Sequence, residues 1–305
     1  MRLPRLAALA LLASCLAAPS VAPAAPECPP PGWSAEKLRA LKAESFLVAN
    51  DEHRQRLALE LTPCLADADP SLRDGIAFEA YSTWLRAGLL NEATRLELLR
   101  RLSPAIAPGQ SDAGGFRQPF SALVLAELAR ADRKSAYLTP EQRQALVEAA
   151  SSYLESVRDY RGYDPREGWR HGVAHGSDLL MQLALNEALT KPQLDRILQA
   201  VRLQVAPPGE HFYIYGESER LARPVLFAAM RGLHSPEEWT AWFEQLASPS
   251  PLAGWDLAFQ SNAGLARRHN TRAFLLVLAS EVRDSRNEQL SKLAPIVTAA
   301  LAKVP

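Results

Sequence analysis

The feature that most constrains the fold is a succession of amphipathic segments that begin with helix-capping signals and end at short polar loops. Thr139-Pro140-Glu141 and Ser235-Pro236-Glu237 each combine an N-cap residue, a proline at the first helical position and an acid in the first turn, a pattern that starts α-helices. The strand-like run at 211–215 is too short to found a sheet. The predicted helices cover residues 34–48, 51–61, 69–86, 91–102, 118–131, 139–159, 165–189, 191–203, 218–231, 236–246, 252–280 (broken) and 285–303.

The short loops between these segments favour an all-α fold of stacked helical hairpins. One local pattern, Asp69-Pro70 followed by inward-facing Leu72 and Ile76 with Arg73 along the ridge, is typical of the second helix of a HEAT-type repeat. We therefore expect an α-solenoid, or α/α superhelix, and the alternative is a closed α/α toroid built from the same hairpins.

The N-terminus carries the pattern of a secretory signal peptide. Arg2 and Arg5 precede an apolar run, and Ala22-Pro23-Ala24 is a small-x-small site suited to cleavage. We expect a signal peptide at 1–24, an extended proline-rich segment at 25–33 and a single helical domain at 34–305. Leu12-Ala-Ser-Cys15 also resembles a lipobox, so lipidation at Cys15 is the alternative to ordinary cleavage.

Charge and hydropathy narrow the compartment and the partners. No later segment is long and apolar enough to cross a membrane. Lys plus Arg equals Asp plus Glu, at 34 each, which gives little electrostatic reason to bind nucleic acid. The expected location is periplasmic or secreted, and the alternative is an outer-membrane or inner-membrane lipoprotein.

Two cysteines, Cys28 and Cys64, remain after signal-peptide processing. An even pair in an oxidising compartment favours a disulfide from the extended N-terminus to the loop after the second helix. The alternative is two unpaired thiols.

The most distinctive stretch of the chain is 159–180. Asp164, Pro165 and Glu167 read as a capping box that would start a helix. On that helix His171, His175 and Asp178 would share one face. Two imidazoles and a carboxylate are ligands of Zn²⁺ or another divalent ion. The alternatives are a structural role for both histidines and acid–base catalysis without a metal.

Neighbouring residues complete a candidate groove. Gly168, Gly172 and Gly176 recur every four residues, which indicates either close helix packing or an open pocket floor. Arg161-Gly162 is typical of a fixed turn. The candidate binding residues are Arg161, Trp169, His171, His175, Asp178, Glu219 and Arg220.

The chain resembles an uncharacterised bacterial family, the "domain of unknown function 2785" group, over about residues 57–231. The likeness is carried by Arg161-Gly162, by Gly168-Trp169-x-His171-x-x-Ala174-His175-x-x-Asp178-Leu179-Leu180, by Phe120-Ser121-Ala122-Leu123 with Leu125-Ala126, and by Glu219-Arg220-Leu221. The resemblance implies a helical domain and no activity. Arg117-Gln118-Pro119 departs from the Arg-Ser expected before Phe120.

These patterns leave open whether the protein is an enzyme. The first hypothesis is a periplasmic binding or scaffold module for a protein or small-molecule ligand, because helical repeat stacks usually act through an extended surface. The second is a metal-dependent hydrolase using His171, His175 and Asp178, with Glu219 as base. The third is a glycan-processing toroid, which would need two facing carboxylates in an aromatic-lined cleft.

Overall fold

The computed structural model describes residues 27–110 and 112–305, and this part of the chain is almost entirely helical. The predicted signal peptide, its cleavage site and Cys15 lie outside the described residues. The α-helices are α1 (Ala35–Ala43), α2 (Asp51–Glu60), α3 (Pro70–Leu72), α4 (Glu79–Arg86), α5 (Glu92–Leu102), α6 (Arg117–Lys134), α7 (Pro140–Ser156), α8 (Gly172–Ala184), α9 (Lys191–Val205), α10 (Glu217–Met230), α11 (Pro236–Leu246), α12 (Asn262–Arg283) and α13 (Glu288–Ala302).

Shorter elements join these helices. Short 3₁₀ helices span Thr62–Ala66, Ser103–Ile106 and Trp255–Gln260, and a π-helix, Arg73–Phe78, connects α3 to α4 without a break. Strands β1 (Tyr163–Asp164) and β2 (Gly168–Trp169) form one antiparallel hairpin. The all-α prediction is thus confirmed.

The predicted capping signals form as expected. The side chains of Thr139 and Ser235 accept hydrogen bonds from the backbone N–H groups of Gln142 and Glu238, and both glutamine and glutamate return the bond in a capping box. Asp69 caps α3 by accepting from the Ser71 N–H. Each such cap contributes about 1 kcal/mol by satisfying N–H groups that have no partner within the helix.

Helices α6, α8 and α10 lie side by side, with α8 in the middle. Helix α4 packs against α6, and α12 packs against α10, which extends this row in both directions. Helices α7 and α9 pack against one another and cover α8 and α10. The buried apolar residues form one cluster that runs from Leu38 to Val304.

Cys28 and Cys64 form a disulfide, as the cysteine count predicted. Cys64 is fully buried in the 3₁₀ helix that follows α2. The crosslink therefore fastens the N-terminal segment onto the first helices of the core. Across residues 27–110 and 112–305, no helix is both long enough and apolar enough to span a membrane.

Candidate functional site

The site lies at the edge of the helix row where α6, α8 and α10 begin. The segments that precede these helices contact one another directly. The Arg170 Nε donates to the Gly114 carbonyl at 2.6 Å, and the His171 ring meets the Tyr215 carbonyl at 2.8 Å. At the opposite edge Arg231, just after α10, donates to the Asn186 carbonyl just beyond α8. The helices of the row are therefore parallel, and their leading loops form one surface.

The helix predicted to begin at Pro165 begins instead at Gly172. Asp164 does accept from the backbone N–H groups of Arg166 and Glu167, but these bonds close the turn of the β-hairpin rather than cap a helix. His171 is the residue before α8 and has a left-handed backbone, with φ of 59°. In both Asx turns and helix N-caps, a side-chain oxygen accepts from the backbone N–H groups two or three residues later. The sequence pattern at Asp164 therefore fits a turn as well as a helix start.

The glycine stripe is also divided between two structures. Gly168 lies in the hairpin with a positive φ, whereas Gly172 and Gly176 are in α8. A Cβ atom at Gly176 would meet the buried Tyr153 ring at 3.1 Å. Close helix packing is therefore the reason for Gly176, whereas Gly172 also lines a small cavity of about 80 Å³ with Asp112 and Asp159.

Four rings form an aromatic cluster on the hairpin and the loop before α10. Trp169 stacks on His171 with ring centroids 4.5 Å apart, and Tyr163 and Tyr215 contact the Trp169 ring at 5.2 and 5.8 Å. Gly162 permits this arrangement, since a Cβ atom there would approach the Tyr215 ring to 2.2 Å. The cluster, defined as Tyr163, Trp169, His171 and Tyr215, has Trp169 37% and Tyr163 53% exposed.

His171 is held as a hydrogen-bond donor. The Tyr215 carbonyl can only accept, so the proton is on Nε2 of the ring. Burial lowers the pKa of His171, and the nearby Arg220 cation acts in the same direction. The imidazole is therefore neutral at pH 7.

His175 is one turn further along α8 and is buried. Its ring contacts the edge of Phe120 at 5.3 Å and the ring of His171 at 5.8 Å. Burial, with the neighbouring His171 and Arg220 acting in the same direction, lowers the pKa of His175 to about 3. Its Nδ1 has no hydrogen-bond partner among the described residues. A buried neutral imidazole that packs on a phenylalanine fits a structural role.

Asp178 points to α10 rather than to the histidines. One carboxylate oxygen is bonded to Arg220, and the other lies 3.7 Å from the Arg223 guanidinium. Burial raises the pKa of Asp178, while Arg220 and Arg223 act against that rise. The carboxylate thus serves as the counter-ion of an arginine pair.

Two cations brace the loops behind the aromatic cluster. The guanidinium of Arg73 lies 3.9 Å from the centroid of the Phe116 ring, and that of Arg170 lies 4.4 Å from it. Arg73 is fully buried and donates to the Glu167 carbonyl at 2.7 Å, which ties the π-helix to the hairpin. The sequence pattern placed Arg73 on a ridge. The structure buries it instead, against Phe116 and the Glu167 carbonyl, which are distant in sequence.

The remaining candidate residues lie around the cluster. Arg161 pairs with Asp159, its Nε donating at 2.8 Å, and packs against Gly115 in the loop before α6. Glu219 is exposed in the first turn of α10. The structure thus brings Trp169 and His171 together, places Asp178 with Arg220, and buries His175. Sequence reasoning missed Tyr163, Tyr215 and Phe116, because single aromatic residues in loops carry no periodic signal.

The proposed metal ligands have other partners. His171 bonds a backbone carbonyl, and Asp178 pairs with Arg220 and Arg223. Within 27–110 and 112–305, no three or more His, Cys, Asp or Glu side chains are grouped so that they could hold a metal ion. The geometry therefore lends no support to a zinc site, and the metal-dependent hydrolase stays a prediction from the sequence.

Comparison with known proteins gives one match. A family model described as "Protein of unknown function (DUF2785)" matches residues 106–279, which includes the whole site and more than half of the chain. The match starts later and extends further than the 57–231 resemblance expected from motifs. No curated protein and no solved structure matches the chain.

Proposed function

The chain belongs to the DUF2785 family, and we propose that it is an exported binding module whose aromatic cluster docks an acidic segment of a partner protein. The observation that carries this proposal is the exposure of Trp169 and Tyr163 on a braced hairpin. The hairpin leads into α8, whose Asp178 pairs with Arg220 and Arg223 of α10. Trp, Tyr and Arg are the residues that dominate the binding energy of protein interfaces.

The support around the rings favours binding over chemistry. Arg170, Gly162 and the His171 bond to the Tyr215 carbonyl fix the hairpin and the loop before α10. Both histidines are neutral, and His175 is buried against Phe120. A rigid, preformed surface loses little conformational entropy when a partner binds.

The charge of the surface selects the partner. Arg220 is bonded to Asp178, but Arg223 is 45% exposed and only approaches the second carboxylate oxygen. The two guanidinium groups share one carboxylate, so Arg223 keeps N–H donors for a second carboxylate. An acidic partner segment would complete this pair, and such complementarity sets specificity and association rate.

The row of parallel helices supports the further proposal that the fold is an open α-solenoid. In a closed toroid the first helices would pack against the last, whereas α13 packs on α10, α11 and α12. In the open form, the leading loops of successive helices line up along one edge. An extended edge of this kind suits binding of a polypeptide segment. Export itself rests on the N-terminal sequence pattern and on the disulfide.

Site-specific photocrosslinking in the native host tests the binding proposal. A photoreactive phenylalanine analogue replaces Tyr163, and in a control chain it replaces Phe259, which is equally exposed, at 56%, on a 3₁₀ helix outside the cluster. We expect a discrete adduct from position 163 only. The adduct should decrease strongly with Trp169→Ala or Arg223→Glu and persist with Arg202→Glu on α9. Equal adducts from both positions, or an adduct that Trp169→Ala leaves unchanged, would contradict the proposal.

A further inference from the structure

A second site lies away from the aromatic cluster, between the loop before α10, the loop after α11 and the start of α12. A cavity of about 270 Å³ opens there. Its walls are mainly apolar, with Pro207, Pro208, Pro251 and Leu252 from the two loops, and Arg267 of α12 is its one charged lining residue. Three of these walls are proline rings, whose fixed backbone keeps the cavity open.

Arg267 differs from the most deeply buried arginines of the described residues, because it lacks a carboxylate partner. The arginines Arg73, Arg143 and Arg170 are buried, and each pairs with a carboxylate. Arg267 is partly buried, yet no acidic side chain of residues 27–110 or 112–305 pairs with it. Its two terminal nitrogens reach the carbonyls of Ala206 and Ser248 at 3.4 and 3.3 Å, and its Nε is buried without a partner. Burial lowers the pKa of Arg267.

A partly buried guanidinium without a counter-ion is costly, and an anion that enters the cavity would remove that cost. A carboxylate matches the fork of N–H donors on arginine, and the apolar walls favour an anion that carries a hydrocarbon body. A cavity of about 270 Å³ far exceeds the roughly 10–15 Å³ of comparable volume that one water requires, so it admits an organic anion of several non-hydrogen atoms. We propose that this cavity binds a small monocarboxylate with an apolar body of about six to eight carbons, its carboxylate on Arg267 and its chain against the proline rings.

This inference is independent of the aromatic cluster and of any protein partner. It rests on a cavity with one unmatched cation and not on the residues around Trp169. The loop before α10 nevertheless takes part in both sites, since Pro207 lines the cavity and Tyr215 belongs to the cluster.

Titration of the purified chain with heptanoate tests the proposal, with 1-heptanol and heptylamine as neutral and cationic counterparts. Backbone amide NMR shifts report binding and locate it at Gly209 and Gly264. We expect saturable heptanoate binding that is at least about tenfold tighter than that of 1-heptanol. Arg267→Gln should weaken heptanoate by about tenfold or more, whereas Arg268→Gln, the next residue on α12 and not part of the lining, should not.

A second variant guards against a folding defect in the first. Ala263→Leu fills the cavity and keeps Arg267, because Ala263 is exposed in the lining, and it should also abolish binding. Heptanoate that binds no tighter than 1-heptanol, that binds Ala263→Leu unchanged, or that shows no saturation below about 10 mM would overturn the proposal. An Arg267 that serves only to hold two carbonyls would show itself as a lower melting temperature for Arg267→Gln with heptanoate affinity unchanged.

Discussion

At the scale of single residues, this protein uses buried polar side chains mainly to fasten loops. Arg73 is fully buried, yet it satisfies its donors on Asp74 and the Asp67 and Glu167 carbonyls. His171 donates to Tyr215, and Asp178 receives Arg220. His175 fastens no loop: its buried ring packs on Phe120, and its Nδ1 has no hydrogen-bond partner among the described residues. Because the buried ring would have to accept a proton in acid, the free energy of unfolding should depend on the protonation of His175.

We expect the chain to lose stability in acid through His175. Its pKa is lowered from 6.5 to about 3 in the folded state, so below pH 6.5 the unfolded chain binds a proton that the folded chain excludes. The free energy of unfolding therefore falls as pH falls from about 6.5 to about 3, by about 1.4 kcal/mol per pH unit from this group. Urea unfolding of the wild type and of His175→Gln, measured between pH 7 and pH 4, checks this slope.

The matched control for that measurement is His53→Gln, since His53 is exposed on α2. The His53→Gln variant should show the same pH dependence of the unfolding free energy as the wild type. The prediction fails when His175→Gln and wild type show parallel curves. Loss of stability in His175→Gln that is the same at every pH would indicate altered packing on Phe120 rather than titration.

At the scale of elements, the sequence predicts the helices that have a capping motif and a periodic pattern of apolar residues. The capping residues Thr139 and Ser235 and the helices that follow them could be predicted, because periodic apolar residues and local hydrogen bonds act within one segment. The start of α8 could not, because Asp164 makes the same short-range bonds in a turn as in a cap. The partners of Arg73 could not either, since residue 167 approaches it only after the helices have packed.

The hairpin depends on one close contact between elements, and Gly162→Ala tests it. A Cβ atom at residue 162 would lie 2.2 Å from the Tyr215 ring, so we expect displacement of that ring and a loss of about 1–3 kcal/mol in the free energy of unfolding. Should the clash be the cause, Gly162→Ala will cost far less in a Tyr215→Ala background. A double-mutant cycle measured by urea unfolding gives this coupling.

If the cycle shows no coupling, the destabilisation by Gly162→Ala arises from the backbone conformation of residue 162 and not from a clash with Tyr215. Gly88→Ala is a useful comparison, because Gly88 has φ of +69° and a Cβ atom there would meet no other atom within 4 Å. Its cost reports backbone strain without a clash and should be insensitive to residue 215.

At the scale of the whole molecule, both candidate sites are loops gathered along one side of a helix row. The aromatic cluster joins the starts of α8 and α10, and the Arg267 cavity joins the loop before α10 to the start of α12. The two sites share this side because alternate helices of the row are parallel. The helices between them, such as α7 and α9, bring the chain back to the same edge before the next helix of the row begins. Variation in those loops can then change binding without altering the helices.

The N-terminal end of the molecule depends on the disulfide, and its removal is the most direct test of that dependence. Cys28 and Cys64 are separated by 36 positions, so the crosslink restricts a long loop in the unfolded chain. Cys28→Ala/Cys64→Ala should lower the free energy of unfolding by about 3–4 kcal/mol. The helical CD signal in native buffer should be retained, because most of the helical core, from α7 to α13, lies outside the loop that the crosslink closes. Dithiothreitol should destabilise the wild type by a similar amount and leave the double variant unaffected. Equal unfolding free energies for the oxidised and reduced wild type would show that packing of the 3₁₀ helix Thr62–Ala66, and not the crosslink, holds this end of the chain.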